Sequence, residues 1–367
     1  MRGEELVFLG WPDIAGLTRG RAISLADLEA RKTKGIGWVP VAQALTPFST
    51  LAPNPWGPMG DIWLVPDLSA AARVDHWPDQ TPFHLILSDG VNPDGSPWMA
   101  CLRALLRHAL DALREEFDLS VLSAFEQEFY LDGLTDLPGA NYSLIAHQLA
   151  ADFGAQVIAA LRAAGQEPET FEPEGGPAQY EVNCRPALGL RGADRALIVR
   201  EIVRDVARRN GCRATFTPVI AEVGFGNGVH VHLSLQDSAG RPRTYDPDGP
   251  AGLSRVAGSF VAGILRHLPA LTAFSAPSPV SHAASRPVIG PVPQPPSGST
   301  TGKRRCACAS GGSARASMPR RRSISSSAPA MAPRRRISCS PFWCRPVWPG
   351  CARISTFRHR STAIWRI

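Results

Sequence analysis

Two glutamates separated by one residue, Glu126 and Glu128 in the run VLSAFEQEFYL, give the sharpest chemical signal in the chain. On a β-strand, period two turns both side chains to one face, roughly 6–7 Å apart. Carboxylates that close repel one another unless a cation lies between them, so the pair is either a metal-binding site or a solvated strand face. A second acidic set lies in FEPEGGPAQYEVN, where a Gly-Gly-Pro turn and a following strand would bring Glu174 and Glu181 together. Taken alone, that set reads first as a solvated turn. A third set is GFGNGVHVHLSL. There Gly224, Gly226 and Gly228 permit unusual backbone angles or close ligand approach, and His230 and His232 share a strand face. Carboxylates with one imidazole, oxygen predominating, suit Mg2+ or Mn2+ better than zinc.

The elements that must position these residues follow from periodicity. From Met1 to about Gly95, Pro and Gly interrupt short strand-like runs (LVFLGW, IGWVPV, DIWLVPD, FHLILSD), which predicts a small sheet-rich domain. Pro47 to Asp61 is a Pro/Gly-rich loop. Between Met99 and Phe117 the period changes, with Leu102, Leu105, Leu106, Ala109, Leu110 and Leu113 on one helical stripe. The acidic strand comes next. A helix near Ser143 to Ala164, the strand QYEVNCRP, a helix near Asp194 to Asn210 and the strand VHVHLSL complete the pattern. Helices alternating with antiparallel-compatible strands predict an α+β fold.

Composition sets the outer bounds. The chain has 367 residues, 44% of them hydrophobic, enough to bury two domain cores. No run of 18 apolar residues occurs, and Glu4 and Glu5 stand where a signal peptide needs a basic end, so a soluble cytoplasmic protein without a membrane anchor is expected. The net charge of +7 conceals a split. Residues 1–283 carry 23 Lys and Arg against 32 Asp and Glu, whereas residues 284–367 carry 16 and none. That last stretch, rich in Arg, Ser, Pro and Ala without a hydrophobic face, is expected to be a disordered basic tail. Five of the eight cysteines lie in it at spacings that fit no zinc site, and no disulfide framework is expected. Its MPRRRS and APRRRIS runs resemble nucleic-acid-binding arms.

The ordered set E-x-E, then E-x6-E with GPAQYEVN, then GNGVHVH resembles the glutamine synthetase family, and within it the γ-glutamylamide and γ-glutamylpolyamine ligases. PDIAGLTRGRAI and the DIWLVPD strand are similar to that family's N-terminal β-grasp domain. The resemblance covers about residues 5 to 283. It implies a β-grasp domain over 1–95, an incomplete α/β catalytic domain over 96–283 and a non-native tail over 284–367. Glu128, Glu174 and Glu181 are implied as ligands of one Mg2+ or Mn2+, and Glu126 and His230 as ligands of a second. His232 would approach the phosphates of ATP, and Gly226, Asn227 and Gly228 would face the amino-acid substrate. Glu126, Glu128, Glu181 and His230 are thereby implied as catalytic. The implied reaction phosphorylates the γ-carboxylate of glutamate and passes the acyl group to ammonia or an organic amine, in rings of identical subunits.

Two departures qualify the resemblance. The loop TPFSTLAPNPWGPMGD contains no acid before Asp61, where ammonia-using members carry an Asp, which favours an organic amine over the glutamate–ammonia reaction. No acidic residue follows Asp248, so Glu126 and His230 are expected to lack a third protein ligand. The tail suggests why. Permitted codons for RPVIGPVPQPPSGSTTGKRRCACA, read two bases later, give PGHWSGAATTFGVHNREAALRVR, with the Trp-Ser-Gly and Asn-Arg-Glu-Ala-Ala-Leu-Arg pattern the family has at this place. A single-frame slip between about Val280 and Pro287 is therefore expected, which ranks the nucleic-acid reading of the tail behind a ligase and behind a non-catalytic remnant of one.

Overall fold

The structure, a computed structural model, describes residues 3–57, 60–134, 137, 139–221, 224–284, 355–359 and 362–366. Strands β1 (Leu6–Pro12), β2 (Thr18–Ser24), β3 (Ile36–Trp38), β4 (Ile62–Val74) and β5 (Phe83–Val91) form an N-terminal sheet, with the short helix α1 (Leu28–Arg31) between β2 and β3. Its order is β2-β1-β5-β4-β3, with β1 parallel to β5 and every other pair antiparallel. Alternation in β1 sends Val7, Leu9 and Trp11 inward to a core with Ile36, Ile62, Leu64, Ile86 and Trp98.

The remaining elements build the second sheet. They are α2 (Leu102–Phe117), β6 (Ser120–Asp132), α3 (Leu144–Leu149), α4 (Ala151–Ala163), β7 (Pro168–Pro173), β8 (Gln179–Cys184), β9 (Ala187–Leu188), α5 (Leu190–Arg209), β10 (Arg213–Thr215) and β11 (Val229–Gln236), followed by α6 (Arg255–Ser275) and α7 (Pro279–Ala284). Sheet order is β12-β13-β11-β6-β8-β7, with β9 and β10 also pairing β6, where β12 is Ser355–His359 and β13 is Thr362–Arg366. All of its pairings are antiparallel, as expected for an α+β fold.

One apolar cluster joins both sheets. Ala70, Ala72 and Val74 of β4 and Leu85 and Leu87 of β5 pack with Phe129 and Leu131 of β6, Val157 and Leu161 of α4, and Ile198, Ile202 and Val206 of α5. Burying each of the larger side chains here, the valines, leucines, isoleucines and Phe129, contributes about 1.5–3 kcal/mol. The core thus runs across the 95/96 division drawn from the sequence.

Two expectations are corrected. The helix foreseen over 143–164 is two, because Ala150 leaves helical geometry at φ −113° and ψ 13°, with Ser143 capping the first by accepting from Ala146 N. The leucine stripe of α2 is not its inner face: Leu105 is 61% exposed and Arg103 is the buried residue. Asp67 of β4, Asp89 of β5 and Asp194 of α5 converge on the Arg103 guanidinium at 2.6–2.8 Å, and that four-residue cluster decides which side of α2 turns inward. The expected disordered tail falls mostly outside the described residues; in its described part β12 and β13 pair with each other, and β13 lies alongside β11. Among the described residues, Cys101, Cys184 and Cys212 are free thiols.

Helix α6 starts at Ser254, whose side chain accepts from Ala257 N. Ala257 and Val261 pack with Leu253 against Leu233 of β11, while Phe274 near its end is 77% exposed. It is the one helix among the described residues long and apolar enough to cross a membrane by length and composition, and most of it is unburied.

Candidate active site

Strand β6 is the axis of the site. Its antiparallel register sets Glu126 opposite His230 of β11 and Glu128 opposite Glu181 of β8. Direct cross-strand partners lie within about 4.5–5.5 Å at Cβ, so two backbone ladders alone assemble three carboxylates and an imidazole. Donor atoms of Glu126, Glu181 and His230 all lie within 4.8 Å of one another. Glu181 therefore stands as a third donor beside Glu126 and His230, which the sequence alone left one short.

The histidines grip Glu126 from both sides. His230 Nδ1 is 2.7 Å from Glu126 Oε2, and His232 Nε2 is 2.6 Å from Oε1. His232 thus meets Glu126 directly. His230 Nδ1 also lies 4.0 Å from Glu128 Oε1, which ties the two parts of the cluster together.

Burial and mutual repulsion raise the acids. Burial, and then the negative charge of Glu126, pushes Glu181 up to about 8; Glu128 and Glu174 add to the rise, and the hydrogen bond donated by Asn183 Nδ2 opposes it. Glu128 is raised chiefly by burial, against a hydrogen bond accepted from Gly228 N. Glu174 is likewise raised by burial, and a hydrogen bond with Tyr142 opposes this. Hard oxygen donors that hold protons above their ordinary range for want of positive charge suit a divalent Mg2+ or Mn2+, so the donor set fits such an ion.

The loop ahead of β11 is locked onto this cluster. Asn227 Nδ2 donates to Thr217 O at 2.8 Å and Thr215 O at 3.0 Å, and its Oδ1 is 2.9 Å from Gln179 Nε2. All of the Asn227 amide is therefore engaged within the protein. Gln179 Nε2 also lies 3.0 Å from Gly226 O and 3.1 Å from Glu128 Oε2. At Gly228 a Cβ would fall 2.5 Å from Glu128 Oε1, so only glycine lets the loop pass this close to the carboxylate. Gln179 could have been found in the sequence, since it shares a strand face with Glu181 at period two. Tyr130 follows Glu126 and Glu128 at the same period on β6 and could have been found likewise, whereas Tyr142 and Phe225, which also approach the Glu174–Gly176 turn, carry no such periodic signal.

Comparisons with known proteins identify the domains that carry these residues. Residues 2–98 match the description "Glutamine synthetase N-terminal domain" and residues 99–283 match "Glutamine synthetase, catalytic domain". A gamma-glutamylpolyamine synthetase of Streptomyces coelicolor is 34% identical over 296 residues, covering 78% of this chain and 63% of that one. A glutamate–isopropylamine ligase of a Pseudomonas species is 31% identical over 285 residues, covering 71% and 61%. Among solved structures, a glutamine synthase homolog superposes with a TM-score of 0.75 at 43% identity, covering 77% of this chain and 67% of the other. GmaS bound to ADP gives 0.67 at 25%, covering 79% and 65%. The chain spans 61–63% of the length of these two curated relatives.

Proposed function

Since the chain belongs to the glutamine synthetase family, whose members depend on ATP and divalent metal, we propose that it is an ATP-dependent carboxylate–amine ligase that forms a γ-glutamyl amide through a γ-glutamyl phosphate. The observation that carries this reading is the convergence of Glu126, Glu181 and His230 within 4.8 Å on three adjacent strands. In this proposal Glu126, Glu181 and His230 hold one divalent ion and Glu128, Glu174 and Glu181 the other. Bound there, the ions supply neutralisation of the charge that develops as a phosphoryl group moves from ATP to a carboxylate. The protein's own part is positional. His230 and His232 orient Glu126, Gln179 and Gly228 N hold Glu128, and Asn183 holds Glu181. Gly226 and Gly228 bring backbone close enough to meet the amino-acid substrate, and His232 stands on the side assigned to nucleotide phosphate.

An organic amine is the proposed acceptor, in a cytoplasmic enzyme of nitrogen or polyamine metabolism. The acid-free loop before Asp61 supports this, as do the amines in the names of both curated relatives. Subunit rings, and the division into 1–95, 96–283 and 284–367, belong to the same proposal. The match to the catalytic domain ends at residue 283, next to the change in charge balance, and this supports a second reading: a single-frame slip near Val280–Pro287 that leaves the chain as written a weakened remnant.

The test is ADP release that depends on glutamate, an alkylamine and Mn2+, measured on this chain and on a frame-repaired version. Activity in the repaired chain is the expected result. No release from a folded, Mn2+-loaded repaired chain with any amine rejects the ligase. For the slip, the coding DNA should read NREAALR in the shifted frame, and an early stop codon there would refute it.

A further inference from the structure

Strand alternation turns Glu126 and Glu128 to one face of β6, so Gln127 between them points to the other, toward Ala196 of α5. Behind the strand lies a cavity of about 10 Å³, lined among others by Ser123 and Gln127 of β6 and by Gly192, Arg195 and Val199 of α5. Gln127 is 3% exposed and Arg195 5%. Each carries a buried polar atom without a hydrogen-bond partner among the described residues. In Gln127 it is Oε1, an acceptor; in Arg195 it is Nε, a donor.

The rest of each side chain is tied down. Arg195 donates through Nη1 to Arg185 O and through Nη2 to Glu167 Oε2 at 2.6 Å, which fixes the direction of Nε. Gln127 Nε2 lies 3.4 Å from Ala196 O, and turning the amide over would set Oε1 against that carbonyl, so Oε1 keeps its side. Gly192 leaves room for the Ser123 hydroxyl, which a Cβ at that position would strike.

A buried donor and a buried acceptor on one small cavity call for an occupant that accepts from the first and donates to the second. A chloride ion accepts from Arg195 Nε and offers Gln127 Oε1 nothing. An ammonium ion donates to Gln127 Oε1 and meets the charge of Arg195. Water does both, and a space of about 10–15 Å³ on this measure holds one molecule. We infer that one internal water bridges Arg195 Nε and Gln127 Oε1, with the Ser123 hydroxyl as its third partner, and that through it Gln127 is a positioning residue for Glu126 and Glu128. The two carboxylates flank Gln127 on the same strand, so whatever fixes Gln127 against α5 fixes the spacing of both from behind. The inference deepens the ligase reading, on which its metal readout rests.

The experiment makes two measurements on the full chain. A crystal structure that resolves ordered solvent should show one peak within hydrogen-bond distance of Gln127 Oε1 and Arg195 Nε, with no anomalous signal there after a bromide soak. Mn2+ affinity is then read from the electron paramagnetic resonance of free Mn2+ for wild type, Gln127→Met and Val199→Ala. Both substitutions disturb the same cavity, but only the first removes the acceptor. Gln127→Met should raise the Mn2+ dissociation constant about tenfold, the cost of losing an outer partner of a metal site. Val199→Ala should lower the thermal midpoint through loosened packing and leave Mn2+ affinity within about twofold of wild type. Ordered side chains without the peak, a bromide signal in its place, or equal Mn2+ affinity in wild type and Gln127→Met each overturns the inference. So does an equal loss of affinity in Val199→Ala, since packing alone would then account for both. Wild type that binds no Mn2+ overturns the metal reading and the positioning role together. The crystal measurement needs no variant, so the inference stays open to refutation even if Gln127→Met does not fold.

Discussion

Glu181 is the side chain on which the cluster turns, because it faces Glu128 across the ladder while its donor atom reaches Glu126 and His230. Glu181→Gln should weaken Mn2+ binding by about 100-fold, the upper end of what even outer partners of a metal site cost, with the fold intact by circular dichroism. Unchanged Mn2+ affinity would remove Glu181 from the ligand set. Its titration gives a second expectation. An acid held near 8 in the fold keeps its proton where the unfolded chain, with an ordinary carboxylate near 4.5, has lost it. Metal-free stability therefore falls as pH rises between those values and is restored by a bound cation. Thermal melts at pH 5.5 and 7.5, with and without Mn2+, should show the drop and its reversal; a metal-free midpoint that rises over this window contradicts the burial of Glu181. At this scale Glu126, Glu128, His230 and His232 were legible because strand period two is written in the sequence itself. Tyr142 and Phe225 were not, since they lie 83 positions apart on irregular segments and meet only through the fold of the Gly175 turn.

Among elements, β6 does most to build the site, and its span was evident from hydrophobic residues flanking the glutamates. Helix α2 teaches the opposite. Its extent was readable, but its orientation depends on Asp67, Asp89 and Asp194, three residues from separate segments that no local period connects to Arg103. Arg103→Ala leaves these acids facing one another and should destabilise the protein by about 3–5 kcal/mol, whereas Arg103→Lys, a single point charge, recovers only part. Chemical denaturation that finds Arg103→Ala within about 0.5 kcal/mol of wild type, the range of an ordinary surface change, would show the cluster to be incidental. Packing of α4 on β7 gives another check. A Cβ at Gly154 would lie 2.6 Å from the Phe171 ring, which stacks on Tyr180 at 5.3 Å, so Gly154→Ala should cost about 1–3 kcal/mol through overpacking.

Over the whole molecule, the shared core of Leu85, Leu87, Phe129, Ile198 and Ile202 makes the N-terminal sheet and the catalytic sheet one cooperative body, so a single unfolding transition is expected. Two resolved calorimetric peaks would argue against it. Composition announced two domain-sized cores but not their fusion, because contacts between β4, β5 and α5 are long-range and leave no mark on local periodicity. The bare flank of α6, with Leu265, Leu271 and Phe274 facing outward, bears on how the protein behaves in the tube. Copies meeting along that ridge would take its apolar side chains out of water, so light scattering is expected to climb with concentration and subside when a mild detergent coats the ridge. Whoever purifies the chain should therefore treat it as something that sticks to its own kind.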